Sequence, residues 1–481
     1  MKSEELCLFE VDISVPVQQF RVEYTLVEKG GLPFVPEYLL RLLKISALLP
    51  SDIARFFGFT PKEVSSALLP FLQQGELTIT DDGRVTLTQK GLRLFSGGDD
   101  VPVVKGRKEY RKSFTFDLLT YSFMEQKKYR LDSPKRSVVL SADSAVRAES
   151  VSSAEMAFQR HLAKIYKSGE LCRYSDESDA PELYKVSQVR KDKDSYIRVV
   201  ESYCLDLETM NYGFSEQEGL PELEAYISTR SQKLAELLGR SNLESLVAFA
   251  DRLGDRHTLD LLGTGYLDLT RIAEVSTATF YSGQSAIDPI YGALQLTRNW
   301  DRVEKLLSKH TKRLAKEAAS VAKVMTWLAP AAHDLWGKCS RHGQAMSVFT
   351  NAGTLSVNGN EKRVISPRVL VPLRDAHDGH AQRRAFIECT VAESILHGFI
   401  DSPALSGLEV IILADAFAVL LYHVVQPDLH PVPIPCGFIT EDKQMVRRIE
   451  AALEERLAEY TEGNVPRYQG PLSPAKGVRK R

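Results

Sequence analysis

The sequence predicts a multidomain α+β protein: a helical N-terminal unit closed by a hairpin, a β-rich middle, a helical segment and a C-terminal α/β domain. Three observations carry that reading. At 481 residues the chain exceeds what one ordinary core accommodates. Hydrophobic residues make up 43% and charged residues 26%, the balance of folded globular proteins. The period of the apolar positions also switches along the chain, from two to about 3.6 and back.

Residues 7–27 alternate apolar and polar (CLFEVDISV, then FRVEYTLVE), which predicts two short strands within an N-terminal segment 1–30. In 31–98, PEYLLRLLKIS gives a first helix. Ser51 and Asp52 are placed to cap a second, DIARFF. Gly58 suits the following turn, because it has no Cβ. Thr60 caps a third helix with Pro61 at its first position, and Val64, Leu68 and Leu72 follow at helical spacing up to Gly75. Pro70 removes one hydrogen bond from that helix. Leu77–Thr80 and Arg84–Thr88 flank Asp81-Asp82-Gly83, a hairpin turn. This order of elements resembles the winged helix-turn-helix family of bacterial transcription regulators. The resemblance implies a DNA-reading third helix, and the residues with suitable donors are Lys62, Ser65, Ser66 and, on the wing, Arg84. Glu63, Asp81 and Asp82 would repel phosphates, so docking of a partner protein is the competing use.

Residues 99–136 read as a basic, aromatic linker. Ten Lys/Arg stand against four acids over 101–136, and Lys105, Arg107, Lys108, Arg111 and Lys112 are the candidate phosphate contacts. The interleaved Tyr110, Phe114, Phe116, Tyr121, Phe123 and Tyr129 suit either base stacking or a core. Residues 137–215 read as β-rich with one helix near Ser153–Lys167, and ELYKVSQVR and SYIRVVESYCLDL as a hairpin around KDKD. Helical periodicity dominates 216–345.

In 346–465, VISPRVLVPL, LEVIILA, FAVLLYHVV and VPIPCGFIT read as strands, with QRRAFIECTVAESILHGFI and DKQMVRRIEAALEERLAEY as helices. This order resembles half of a phospholipase D-like domain. Placing that family's aspartate on Asp415 puts its lysine at Val410 and its histidine at Leu408, which implies a domain without its nucleophile. A literal near-match, His310, Lys312 and Glu317, falls within a helix rather than on a strand. Separately, RDAHDGH (Asp375, His377, Asp378, His380) and the following Glu388, Glu393 and His397 offer imidazole and carboxylate groups for acid–base or metal chemistry. The candidates for a hydrolase or nuclease are His377, His380, Glu388 and His397, with Glu393 and His397 sharing a helix face. The tail, 466–481, reads as disordered.

The six cysteines are scattered without a CxxC pair, so neither zinc-finger spacing nor a disulfide framework is expected. Neither GxxxxGK[ST] nor a strand-linked GxGxxG is present, and no cofactor or metal is expected. No apolar run reaches the roughly 18–20 residues of a membrane span. The N-terminus carries acids where a signal peptide would be apolar, so the cytoplasm is the expected compartment and membranes are not expected partners. The net charge of −2 restricts any nucleic-acid surface to local patches. The leading expectation is a non-catalytic, DNA-associated regulator or subunit of a DNA-acting complex, with bacterial antiviral defence as a setting suggested by architecture alone. The alternatives are a hydrolase or nuclease using residues 375–397, and a scaffold whose winged helix docks a protein.

Overall fold

The computed structural model describes residues 5–95, 101–171, 182–215, 224–263, 265–278, 287–317, 321–357, 360–373, 389, 391–392, 394–400 and 403–457. The chain is a mixed α+β protein with several sheets. No helix among the described residues is long and apolar enough to cross a membrane.

The first element, β1 (Glu5–Gly31), is one strand of 27 residues, where two short strands are expected from the sequence. No turn residue interrupts it except Pro16, which lies just beyond the end of the β4 pairing and so costs no hydrogen bond on that side. The strand serves two cores on opposite faces. Phe9, Val11, Ile13, Val15 and Val17 pack into one, and Phe20, Val22, Tyr24 and Leu26 into the other.

Three helices and a hairpin follow: α1 (Phe34–Ile45), α2 (Pro50–Phe57), α3 (Pro61–Gln73), β2 (Leu77–Ile79) and β3 (Val85–Leu87). Their core holds Leu39, Leu40, Leu43, Ile53, Val64, Leu68, Phe71, Leu77 and Val85. Thr60 and Glu63 close a reciprocal capping box on α3. The α2 start differs from expectation: Leu49 is its N-cap, and Ser51 and Asp52 lie within the first turn. Gly58 and Gly83 adopt φ of +69° and +78° at the two turns, where a side chain would be strained. After α4 (Gln89–Leu92) the chain enters β4 (Val103–Asp117), antiparallel to β1 with Gly31 opposite Val103. The helical unit is therefore an insertion at the tip of a long β1–β4 hairpin. Val103–Lys112 is not a linker, because its backbone pairs with β1 from Gly31 back to Val22.

Next come β5 (Leu131–Asp132), β6 (Val138–Val139), α5 (Ser144–Ala148), α6 (Ser150–Arg160), α7 (Leu162–Lys167), β7 (Glu182–Asp206) and β8 (Tyr212–Ser215). The segment expected as a hairpin is the single strand β7. It pairs with β1 throughout, and KDKD forms an irregularity in that pairing, where Gln19 and Phe20 oppose Lys193 and Lys191. The order β4-β1-β7-β5, with β6 on β1 and β8 on β7, makes one six-stranded sheet from segments expected to be separate.

The remainder builds a second, seven-stranded sheet. Its elements are α8 (Glu224–Leu238), α9 (Leu243–Leu253), α10 (Arg256–Leu262), α11 (Leu269–Ala278), β9 (Asp288–Tyr291), α12 (Thr297–Lys316), β10 (Lys323–Leu328) and α13 (Ser340–Thr350). A small hairpin, β11 (Thr354–Val357) and β12 (Asn360–Arg363), leads to β13 (Ile365–Pro372) and β14 (Leu396–Ile400). Then come β15 (Leu408–Leu413), β16 (Phe417–Val424), β17 (Ile434–Thr440) and α14 (Lys443–Leu457). The order is β14-β13-β10-β15-β16-β17-β9, parallel at β14/β13/β10 and antiparallel elsewhere. Helices α12 and α13 cover one face, and α9, α10, α11 and α14 the other, so β15, β16 and β17 are buried along their whole lengths. The sheet recruits β9 and β10 from the segment read as helical. The end of the expected helix over 382–400 is strand β14, because Leu396–Ile400 pairs with β13 and buries Leu396, Phe399 and Ile400.

Candidate functional site

Lys62, Ser65 and Ser66 are exposed on α3, on the side away from buried Val64 and Leu68. Ser65 Oγ donates to the Pro61 carbonyl at 3.0 Å. Glu63 accepts from the Thr60 backbone N–H and hydroxyl, each at 2.8 Å. Those bonds hold its carboxyl below the usual range. Arg84 is already occupied: its Nε lies 3.0 Å from Asp82, and a terminal nitrogen donates to the Ala47 carbonyl at 3.2 Å.

The basic set on β4 does not form one surface. Strand alternation sends Arg107 and Arg111 to one face and Lys108 and Lys112 to the other. Arg107 stacks 3.8 Å over the Tyr184 ring, Arg111 pairs with Glu23 at 2.6 Å, and Lys108 lies 5.3 Å from the Tyr110 ring centroid. The side chain of Lys105 is outside the described set. Phe114, Phe116 and Phe123 are buried in the core beneath α6, so they have no face left for a base; Tyr110 and Tyr121 pack at that core's edge and Tyr129 at a neighbouring one.

Of the hydrolase candidates, Asp375, His377, Asp378, His380, Glu388 and Glu393 lie outside the described residues. His397 is exposed on β14, so it does not share a helix face with Glu393. Desolvation of the ring by its surroundings, with Arg368 nearby, holds its pKa down although an edge of the side chain reaches solvent. Leu408 and Val410 are buried in the apolar core. Asp415 occupies the β15–β16 turn at φ +55°, 3.3 Å from Arg447. His310 is buried on α12, bonded to Glu441 at 2.8 Å and stacked on Phe417.

Two buried networks were not anticipated. In the first, the Leu335 N–H donates to His333 Nδ1 at 3.1 Å, so His333 carries its proton on Nε2. That proton is shared with His423 Nδ1 at 2.9 Å, which leaves His423 Nε2 to donate to Glu409 at 2.9 Å. The other Glu409 oxygen accepts the indole N–H groups of Trp327 and Trp336, at 3.1 and 3.0 Å. The one sequence signal was Glu409 itself, an acid within LEVIILA. In the second, Glu10, Asp12 and Cys339 bring ligand-type atoms within 4.8 Å of one another. Arg341 grips Glu10 at 2.9 and 3.1 Å, and Arg198 lies 2.9 Å from Asp12. These arginines already neutralise both carboxylates, so the knot joins the two sheets and is poorly suited to a cation.

On the outer flank of α12, two adjoining grooves of about 410 and 510 Å³ share Asp288 and Arg302. Their walls carry Arg298, Lys305 and Lys309, which form no recognised sequence motif although their spacing is visible in TRNWDRVEKLLSKHTKRLAK. Comparison with protein-family models, with curated proteins and with solved structures returns no match.

Proposed function

We propose that the chain is a non-catalytic DNA-associated protein, a regulator or a subunit of a DNA-acting complex, in which residues 34–87 work as a winged helix. The observation that carries this reading is α3. It presents Lys62, Ser65 and Ser66 to solvent, while the capping box turns the unfavourable Glu63 back onto Thr60. Donors near the start of a third helix suit base edges in a major groove. A phospholipase D-like ancestry of the second sheet is supported by its mixed seven strands between two helical layers. Apolar Leu408 and Val410 then support a body that binds without cutting. Bacterial antiviral defence remains a setting suggested by architecture alone.

Fluorescence anisotropy of the full chain on duplex and single-stranded DNA, across a salt range, tests the reading. Lys62→Ala should weaken binding to a preferred sequence more than to random DNA, and Arg84→Ala should do little because Arg84 is tied to Asp82 and Ala47. Absence of binding at low salt would remove the DNA reading. A docking role would then lead, favoured by the exposed apolar side chains Ile45 (83%), Phe56 (63%) and Leu69 (53%) on the same unit.

A further inference from the structure

On α12, Arg298, Arg302, Lys305, Lys309, Lys312 and Lys316 recur at spacings of four, three, four, three and four residues, with Arg313 beside Lys312. At about 100° per residue, all seven cations fall within an arc of roughly 100°. The opposite side of the helix is the apolar seam of Trp300, Val303, Leu307 and Leu314, packed on the second sheet. The helix's acids, Asp301 and Glu304, lie outside the basic arc. An ordinary solvated helix mixes its signs around the exposed side, but this one segregates them.

The stripe is partly exposed and partly neutralised, and Arg298 donates to the Tyr291 carbonyl at 2.5 Å. Arg302 pairs with Asp288 at 2.6 Å, Lys309 with Glu441 at 2.7 Å and Arg313 with Glu317 at 3.6 Å. Lys305, Lys312 and Lys316 are exposed and have no ion pair among the described residues. Surface pairs such as these contribute about 0–1 kcal/mol each, so phosphate oxygens can replace their carboxylates at little cost. The stripe runs about 27 Å from Arg298 to Lys316, which matches about eight phosphates of one strand at roughly 3.4 Å of duplex axis each. Net of these three pairs, the arc keeps an excess of four cations on a chain whose net charge is −2, a local field that the molecule as a whole lacks.

We propose that this flank of α12 is a second nucleic-acid surface, which grips the phosphate backbone of duplex DNA without reading sequence. The proposal rests on the DNA-associated reading above and adds a contact that reading does not require. It assigns sequence preference to α3 and salt-dependent grip to α12.

The test is binding of the full chain to a random-sequence duplex, followed from about 50 to 200 mM salt. Replacing Lys305, Lys312 and Lys316 together by Gln removes up to three phosphate contacts. The slope of log affinity against log salt should fall by up to about 2.7, and the affinity ratio across that range by about 40-fold. Lys312→Gln alone should lower the slope by about 0.9. A control with the same charge change, Lys164, Lys167 and Lys193 to Gln on the first sheet and its helices, should leave the slope in place. Tryptophan fluorescence verifies folding, since all three tryptophans lie in the core of this unit. An unchanged slope in the α12 variant, or equal losses in variant and control, would overturn the inference while leaving the α3 reading intact. Loss of slope in the α12 variant with no effect of Lys62→Ala would support the inference and remove base reading by α3. No binding by the unaltered chain would remove both.

Discussion

The direction of the buried hydrogen-bond chain makes Glu409→Gln an informative substitution. The two groups have nearly the same shape, so no cavity confounds the result. A glutamine at 409 can keep its amide oxygen toward the indoles of Trp327 and Trp336, but its NH2 then faces the Nε2–H of His423, donor against donor. Reversing the His423 and His333 tautomers relieves that clash only by placing a proton on His333 Nδ1, where the Leu335 N–H already points at 3.1 Å. One donor is stranded either way, and a single unsatisfied buried donor costs about 1–3 kcal/mol. In a unit of this size each kcal/mol shifts Tm by roughly 2–4 °C. Trp327 lies 5.7 Å from Trp300 and 6.0 Å from Trp336, ring centroid to centroid. Intrinsic fluorescence in a urea or thermal melt therefore reports this core and no other. Glu409→Ala, which strands three donors, should cost about 3–9 kcal/mol, comparable with the stability of a whole domain. A Glu409→Gln protein that melts with the unaltered one would refute the tautomer assignment. One that loses as much as Glu409→Ala would show that charge, and not donor direction, holds the network.

Leu68→Asp puts an unpaired charge into the core of the helical unit, where Leu68 is buried, and should unfold that unit at a cost of several kcal/mol. Circular dichroism would register the lost helix while tryptophan fluorescence stays native. His342 is held at about 4, chiefly by burial, with the Glu409 charge opposing and Arg136 reinforcing the shift. Because its folded pKa lies below the unfolded 6.5, its stabilisation is complete above pH 6.5 and is lost as pH falls toward 4, by about 3 kcal/mol. His342→Phe should flatten that limb of the urea midpoint against pH, and an unaltered limb would assign it to other groups. Burial pushes the Cys436 thiol far up, so a thiol reagent should modify it only in denaturant, with peptide mapping as the readout.

How much was legible follows from how local each signal is. The start of α3 could be read because Thr60, Pro61 and Glu63 act within one turn. The lengths of β1 and β7 could not. A strand continues where a partner satisfies its backbone, and that partner lies up to about 200 residues away in sequence. Read locally, KDKD is a turn; paired with Gln18–Phe20 it is strand. Strand β14 was lost for a similar reason, since Ile395, Leu396, Phe399 and Ile400 fit a helix face as well as a strand until β13 is placed beside them. The His333–His423–Glu409 chain depends on three segments meeting on one face of a sheet, which no spacing encodes. The α12 stripe is different: its register is local and visible in the sequence, but it shares one helix with an apolar period of the same length.

The geometry of β1 connects these parts. Its first half turns Phe9 to Val17 toward one core and, on the other face, Glu10 and Asp12 toward the loop after β10. There the Ser340 N–H and Arg198 hold one Asp12 oxygen, at 3.0 and 2.9 Å, and burial raises its pKa. Arg341 ties Glu10 to the start of α12 by a further bond to Thr297 at 2.8 Å. Removing either arginine would leave a buried carboxylate unpaired, at a cost of about 3–5 kcal/mol, so this end of the ribbon is fixed to the second sheet. The other half of β1 is paired with β4 from Val17 to Gly31, a ribbon about 45 Å long at roughly 3.3 Å per residue. The helical unit is carried at its far end, only two residues beyond Gly31. Were α3 and α12 both to contact DNA, this arm would fix the span between the two contacts, and their affinities would reinforce each other only on DNA long enough to bridge it.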